Sequence, residues 1–268
     1  MNARLTYSQP EDPLARQLFI QSVEYLSGRG DLENRYNKVL SHNPNPDNIW
    51  KLMVENLDLD LVFDHSLLKK IPVTGPLVFI ANHPFGVVDG IVLGYLVSRL
   101  RTDFKFLVNA ALCRDEILNQ FFLPIDFALS REAQQTNIQT RKIALECIQR
   151  GEPVVIFPSG GVATAPKFWQ KAEDLEWKQF VVKLVHKSKA TVIPIYFYGQ
   201  NSRLFQVASQ LSQDLRLSLL LNEVRNKIGK KVHFEIGDPL PFALLEPYYK
   251  SKSLLQFLNN RVHSLAYS

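Results

Sequence analysis

Cysteine is scarce in this chain, and no run of apolar residues is long enough to cross a membrane. The two cysteines, Cys113 and Cys147, lack any C-x-x-C or Cys/His metal spacing, which argues against a disulfide scaffold and a cysteine-based metal site. No uninterrupted apolar run reaches the roughly 18 to 20 residues of a spanning helix. Residues 1–13 are polar and lack the apolar segment of a signal peptide. We therefore expect a cytoplasmic protein.

The chain also lacks a dense run of basic residues. Its 268 residues are 46% hydrophobic and 21% charged, which is ordinary globular composition, and the formal net charge is +5. Lysine and arginine are scattered, and no nucleic-acid-binding motif is present, so we predict no nucleic-acid partner. The mild basic excess suits anionic partners such as acidic phospholipid surfaces, phosphate-bearing substrates or an acidic carrier protein. It is equally compatible with a role in solubility alone.

The pattern of apolar residues divides the chain near residue 70. Residues 1–70 read as a helical leader, in which Ile49, Trp50, Met53 and Leu57 would form one apolar stripe, either a core face or a membrane-docking face. From residue 71 to residue 268, short apolar runs alternate with helical stretches. This alternation predicts an α/β domain with a mixed, largely parallel sheet flanked by helices. The predicted strands are 77–81, 104–108, 154–157, 192–197 and 232–236, and the predicted helices include 91–100, 114–121, 132–150 and 178–187.

The most informative segment is residues 78–90, Val-Phe-Ile-Ala-Asn-His-Pro-Phe-Gly-Val-Val-Asp-Gly. It places His83 and Asp89 just beyond a buried strand, where α/β enzymes build their sites. Six positions correspond to about 600° of turn on an ideal helix, so one helix face cannot hold both side chains. The backbone must bend between them, and Pro84 and Gly86 suit that bend. A neutral imidazole can take a proton from a hydroxyl while a carboxylate fixes its tautomer. An Asn-cap followed by a core histidine would give the same pattern.

This segment resembles the first signature of the lysophosphatidic-acid acyltransferase-like superfamily of glycerolipid acyltransferases, usually Asn-His-x4-Asp. Here five residues separate His83 from Asp89. The sequence Asn-His-Pro-Phe-Gly, beginning at Asn82, is similar to the motif of the branch that contains the hemolysin-like and ornithine-lipid acyltransferases. The resemblance implies that His83 and Asp89 are catalytic and that Asn82 and Gly86 contribute to substrate binding.

A second segment, residues 123–131, resembles the family's second signature, in which an arginine is associated with the acceptor phosphate. Arg131 would hold that anionic headgroup, because a planar guanidinium can bind two phosphate oxygens at once. Taken alone, an arginine at a helix start is usually a solvated charge.

A fourth block, residues 191–197, resembles the short apolar block with a central proline that ends the signature set. It would pack around the acyl chain or form part of the wall of the site.

The third segment, residues 151–162, carries a buried strand into a Pro-Ser-Gly-Gly turn and resembles the family's Phe-Pro-Glu-Gly block. Ser159 stands where the commonest pattern has glutamate, so an acceptor other than plain lysophosphatidic acid would fit. Glycines after a strand allow backbone N–H groups to approach an oxyanion or a phosphate. The substrate-binding residues implied in this block are Phe157, Pro158, Ser159, Gly160 and Gly161.

The resemblance implies an O-acyltransferase of membrane lipid synthesis. An acyl group would move from an acyl-carrier-protein or coenzyme A thioester to a hydroxyl of a lysolipid, at a membrane surface with which the protein associates peripherally. No metal and no tightly bound cofactor is expected. Two alternatives stay open: a thioesterase or lipid hydrolase in which the His83–Asp89 pair activates water, and a non-catalytic lipid-binding or carrier-binding module with the same fold.

Overall fold

A computed structural model describes residues 5–8, 12–113, 115–126, 130–167 and 169–267. Its helices are α1 Leu14–Leu26, α2 Arg29–Ser41, α3 Ile49–Asn56, α4 Val87–Ser98, α5 Glu116–Asn119, α6 Arg131–Gln149, α7 Phe180–Ser188, α8 Arg203–Leu211, α9 Gln213–Ser218, α10 Leu220–Lys227, α11 Phe242–Lys250 and α12 Leu254–Ser264. Its strands are β1 Asp60–Val62, β2 Leu77–Ala81, β3 Lys105–Asn109, β4 Phe122–Ile125, β5 Val154–Ile156, β6 Thr191–Phe197 and β7 Lys231–Ile236.

The seven strands form one sheet in the order β1-β7-β6-β2-β5-β3-β4. Strands β6, β2, β5, β3 and β4 run parallel to one another. Strand β7 is antiparallel to β6, and β1 runs parallel to β7. The predicted mixed, largely parallel sheet is therefore confirmed. Because the five parallel strands share a direction, their carboxyl ends lie along the same edge of the sheet, where open α/β folds bind ligands.

Strand β2 is the centre of the core, and all five of its residues are buried. Such a continuous apolar run suits a strand that is covered on both faces. Leu77, Phe79 and Ala81 face the same hydrophobic cluster as Trp50 of α3 and several residues of α4. Val78 and Ile80 face a second cluster, which is built with α7, α11 and α12. Helices thus cover both faces of the sheet.

The N-terminal helices pack onto the sheet domain. Trp50 is 3% exposed and lies within 6.3 Å of the rings of Phe104, Phe106, Phe121 and Phe122. Gly94 of α4 allows this approach, because a Cβ there would stand 2.1 Å from the indole. The apolar stripe of α3 is therefore a core face. The division at residue 70 stays a prediction, and β1, which pairs with β7, lies on its N-terminal side.

Several local predictions need correction. Residue 114 lies outside the described residues; of residues 115–121, for which a helix was predicted, only those of α5 are α-helical, and the chain enters β4 at Phe122. Asp115 sets the start of this helix, because its carboxylate accepts hydrogen bonds from the N–H groups of Ile117 and Leu118 and so caps it. Neither β1 nor the sheet position of β4 was predicted, because both strands are short and gain their partners from distant parts of the chain.

Among the helices that the structure describes, none is both long and apolar enough to span a bilayer.

Candidate active site

His83 and Asp89 lie in contact beyond the carboxyl end of β2. His83 Nδ1 is 3.0 Å from Asp89 Oδ2. Asp89 is the third residue of α4, whereas His83 precedes that helix, so the bend between them brings the two side chains together. The same carboxylate oxygen accepts hydrogen bonds from the N–H groups of Phe85 (2.8 Å) and Gly86 (3.0 Å). The carboxylate therefore holds both the imidazole and the loop that precedes α4.

Gly86 makes this bend possible. Its φ of 80° and ψ of −117° belong to a region that side-chain-bearing residues rarely adopt. A Cβ at this position would also stand 3.1 Å from both Leu220 and Val162. The five-residue spacing between His83 and Asp89 is thus accommodated by a bend with positive φ at Gly86.

The Asp89 carboxylate is fully buried, and burial raises its pKa above the usual range, although His83 and the two backbone N–H groups act against this shift. Its second oxygen, Oδ1, is buried and has no hydrogen-bond partner within the described parts of the chain. Lys227, at the end of α10, lies with Nζ 3.6 Å from the centre of the Phe85 ring. Burial lowers the pKa of Lys227, while Asp89 and Glu223 oppose this change.

Two side chains, those of Phe157 and Asp89, fix the orientation of the His83 imidazole. Its ring stacks on Phe157 with a centroid distance of 3.8 Å and an interplanar angle of 21°. Nδ1 is engaged by Asp89, so an ionised carboxylate there assigns the proton to Nδ1 and leaves the lone pair on Nε2. The side chain is 15% exposed. Nε2 is therefore the nitrogen that can receive a proton from a substrate hydroxyl.

Asp174 supports the histidine and was missed by sequence reasoning. Its Oδ1 accepts the backbone N–H of His83 at 3.0 Å, and its Oδ2 accepts the indole N–H of Trp177 at 3.0 Å. On the other side, the His83 carbonyl accepts the N–H of Ala163 at 2.7 Å. Asp174 lies 91 residues from His83, in an irregular segment without a motif, so no local pattern could have identified it.

Asn82 connects two strands. Its side-chain amide donates to the Phe197 carbonyl at 2.9 Å, and its side-chain oxygen accepts the Phe197 N–H at 2.7 Å. This pair of bonds joins the ends of β2 and β6 directly beside His83. Substrate binding by Asn82 stays a prediction, and the geometry shows a second role in positioning the loop.

The loop after β5 lies beside the histidine, and three of its polar groups bond within the protein. Ser159 is 2% exposed, and its hydroxyl donates to the Gly161 carbonyl at 3.0 Å. The Gly160 N–H donates to the Phe157 carbonyl at 2.9 Å, and the Pro158 carbonyl accepts the N–H of Lys178. The N–H of Gly160 is thus occupied in the turn rather than free to bind an oxyanion.

Arg131 lies farther from the histidine. It is exposed at the start of α6, which follows the edge strand β4. Strands β5 and β3 lie between β4 and β2, so three strand spacings of about 4.8 Å separate the two positions along the edge of the sheet. A headgroup held by Arg131, as predicted, would therefore lie at the far part of this edge, away from His83.

A second arginine was not predicted and lies nearer to the histidine. Arg216 of α9 donates from Nη2 to the Val162 carbonyl at 2.5 Å, and Val162 immediately precedes the residue that bonds to His83. Arg216 lies outside the four motif segments, in a stretch for which the sequence indicated only helix.

No group of three or more His, Cys, Asp or Glu side chains is arranged to hold a metal ion within the part of the chain that the structure describes.

Comparison with known proteins identifies the family. The model of the Acyltransferase family matches residues 63–198, just over half of the chain. The chain belongs to this family. The resemblance that the four motif segments indicated is confirmed, and the protein is an acyltransferase.

Two relatives are named lyso-glycine lipid O-acyltransferases. The one from Phocaeicola vulgatus is 25% identical over 217 residues, which cover 77% of this acyltransferase and 74% of the relative. The one from Bacteroides thetaiotaomicron is 27% identical over 210 residues, which cover 74% and 72%.

The fold is similar to that of a solved structure, the 1-acyl-sn-glycerophosphate acyltransferase PlsC from Thermotoga maritima. The TM-score is 0.52 at 15% identity, over 92% of this acyltransferase and 86% of PlsC. At this identity the similarity concerns the fold alone.

Proposed function

We propose that this acyltransferase transfers a fatty acyl group from an acyl-carrier-protein or coenzyme A thioester to a hydroxyl of a lysolipid. The observation that carries the proposal is the contact of His83 Nδ1 with the buried Asp89 carboxylate, which leaves Nε2 available as a general base. No cofactor and no metal takes part in the proposed reaction.

The reaction follows from that geometry. Nε2 of His83 accepts the proton of the acceptor hydroxyl while the hydroxyl oxygen attacks the thioester carbonyl carbon. In its ionised form, Asp89 stabilises the imidazolium that forms. When the tetrahedral intermediate collapses, the carbon–sulfur bond breaks, the ester bond remains, and the thiolate takes the proton from Nε2. The products are an acylated lipid and a free thiol, and no acyl-enzyme is required.

The lysolipid acceptor is supported by the relatives, both of which are named for a lyso-glycine lipid. A glycine headgroup that is joined to its lipid through nitrogen carries a carboxylate as its only charge. We therefore propose a lysolipid with a small anionic headgroup as the acceptor.

Peripheral association with a membrane surface is supported by exposed apolar side chains on two helices that both contact α9. Helix α1 exposes Leu14, Leu18 and Leu26, and α8 exposes Leu204 and Leu211, each by more than half of its surface. Exposed apolar side chains on helices suit insertion at the level of the lipid headgroups.

Co-sedimentation with vesicles of anionic phospholipid tests this association. A double variant with Leu18→Ser and Leu211→Ser is expected to bind vesicles more weakly than the wild type. Val73→Ser is the matched control, because Val73 is also 61% exposed but precedes β2. Equal binding by all three proteins would refute the assignment of the membrane-contacting face.

The function is tested by incubating purified protein with labelled acyl-carrier-protein or acyl-coenzyme A and a panel of lysolipids. A labelled diacyl product that His83→Ala does not form would support transfer. Free fatty acid as the main product would instead indicate the thioesterase or hydrolase. No product from any pair, or equal activity of His83→Ala, would refute catalysis by this base and favour the binding module.

A further inference from the structure

Arg216 of α9 is a partly buried arginine. Its guanidinium carries five N–H donors, and one donates to the Val162 carbonyl. No acidic side chain within the described residues lies at ion-pair distance from it. Burial lowers the pKa of Arg216, and no neighbouring carboxylate raises it again. Within the part of the chain that the structure describes, this partly desolvated cation bonds to a neutral carbonyl and has no counter-charge.

The acidic residue nearest to Arg216 on α9 is already paired. Asp214 forms a bidentate contact with Arg16 of α1, in which Nη2 of Arg16 lies 2.8 Å from Oδ1 of Asp214. The helix therefore directs its carboxylate to another helix and its guanidinium to the loop after β5. Among the described residues, none supplies a carboxylate that pairs with Arg216, so an anionic substrate group could complete the charge pair.

The guanidinium adjoins the catalytic loops. Nη2 bonds to the carbonyl of Val162, and the next residue, Ala163, donates to the carbonyl of His83 at 2.7 Å. The guanidinium also lies beside Gly161, where a Cβ would stand 3.5 Å from Nη2. Residues 162–163 thus link His83, the proposed base, to the guanidinium of Arg216.

We propose that Arg216 binds the anionic headgroup of the acceptor lipid and so directs the acceptor hydroxyl to His83. The chemical class is a lipid with a terminal carboxylate, which a guanidinium binds through two parallel hydrogen bonds. This inference rests on the proposed acyl transfer to a lysolipid, and it places the headgroup at α9 rather than at Arg131 of α6.

Binding of unreactive probes tests the assignment without acyl donor and without turnover. The probes are N-dodecanoylglycine and its neutral counterpart N-dodecanoylglycinamide, titrated by calorimetry below their critical micelle concentrations. We expect the wild type to bind the carboxylate about 10- to 100-fold more tightly than the amide, the range for charge-assisted hydrogen bonds. Arg216→Gln is expected to reduce this ratio to about 1, and Arg216→Lys to retain part of it.

Control variants make the result specific. Arg141→Gln removes an exposed arginine of α6, whose guanidinium lies over the Phe180 ring of α7, and it should leave the ratio unchanged. If Arg131→Gln removes the preference and Arg216→Gln does not, the headgroup binds at α6 and the inference is wrong. It is also wrong if the wild type shows no preference, or if Arg216→Gln and Arg216→Lys, folded by circular dichroism, both keep the full ratio.

The two proposals fail separately. A protein that prefers the carboxylate through Arg216 but forms no diacyl product would refute acyl transfer and retain the headgroup site. A protein that forms the product while Arg216→Gln keeps its carboxylate preference would refute only the headgroup site.

Discussion

The loop after β2, residues 82–86, and the loop after β5, residues 157–163, leave the same edge of the sheet, yet they use their polar groups differently. In the first loop, His83 and the N–H groups of Phe85 and Gly86 all converge on one buried carboxylate, that of Asp89. In the second, the Ser159 hydroxyl and the Gly160 N–H bond to carbonyl groups of their own turn.

The difference indicates that the first loop supplies the reactive group of the site, whereas the second supplies packing and structural contacts. The first loop keeps one basic nitrogen available for substrate. The second contributes the Phe157 ring against the imidazole and offers the Val162 carbonyl to Arg216. Substitutions in the first loop should therefore affect catalysis most, and substitutions of polar groups in the second should affect mainly the local stability.

His83→Ala should have the largest effect. Loss of a general base lowers kcat/KM by about 10²- to 10⁴-fold. A transfer assay measures the loss, and circular dichroism confirms that the variant folds. Activity within a few-fold of the wild type would show that the first loop supplies no catalytic base. The proposed difference between the two loops would then be wrong.

Asp89→Asn should have the next largest effect on activity. The substitution removes a charge-assisted hydrogen bond of about 1.5–3 kcal/mol, which corresponds to roughly 10- to 100-fold in rate if it is fully expressed in the transition state. The loss should appear in kcat rather than KM, because the carboxylate supports the imidazolium and is buried away from substrate. A change confined to KM would contradict this role.

Gly86→Ala should destabilise the protein by about 1–3 kcal/mol, because the positive φ at this position is strained for a residue with a side chain. Gly90→Ala is the matched control on the same helix, since a Cβ there meets nothing within 4 Å and alanine is the better helix former. Denaturant unfolding measures both variants. Equal stabilities would show that the bend before α4 tolerates a side chain.

The stability of the wild type relative to Asp89→Asn should depend on pH. Burial raises the pKa of Asp89, so the folded state binds the proton more tightly than the unfolded state. The stability that this group contributes is present below its ordinary pKa of about 3.9 and is lost as the pH rises to the raised value. Thermal melts of both proteins between pH 4 and 8 measure this difference. A difference that moves in the opposite direction would show that His83 and the backbone N–H groups outweigh burial.

Ser159→Ala should have the smallest effect. It removes one neutral hydrogen bond, which contributes about 0.5–1.5 kcal/mol to stability. We expect a small decrease in Tm and a kcat/KM close to that of the wild type. A large loss of activity without a loss of stability would instead show that the hydroxyl binds substrate.

Much of the architecture and the centre of the site could be predicted from local patterns. Strand β2 occupies the predicted residues 77–81, and the bend at Gly86 allows the predicted contact of His83 with Asp89. The spacing could not reveal that Asp174 binds the His83 N–H, because that contact joins residues 91 positions apart. The short strand β1 and the position of β4 in the sheet escaped prediction for the same reason.

By itself, the sequence determined the alternation of apolar runs, the residue types of the His83–Asp89 pair and the glycines that let the chain turn beside it, because these are properties of neighbouring residues. Only the tertiary structure decided which nitrogen of His83 is available, that Ser159 turns inward, and that Arg216 adjoins the loop after β5. Those outcomes depend on burial and on contacts between distant segments, which exist only once the sheet has assembled.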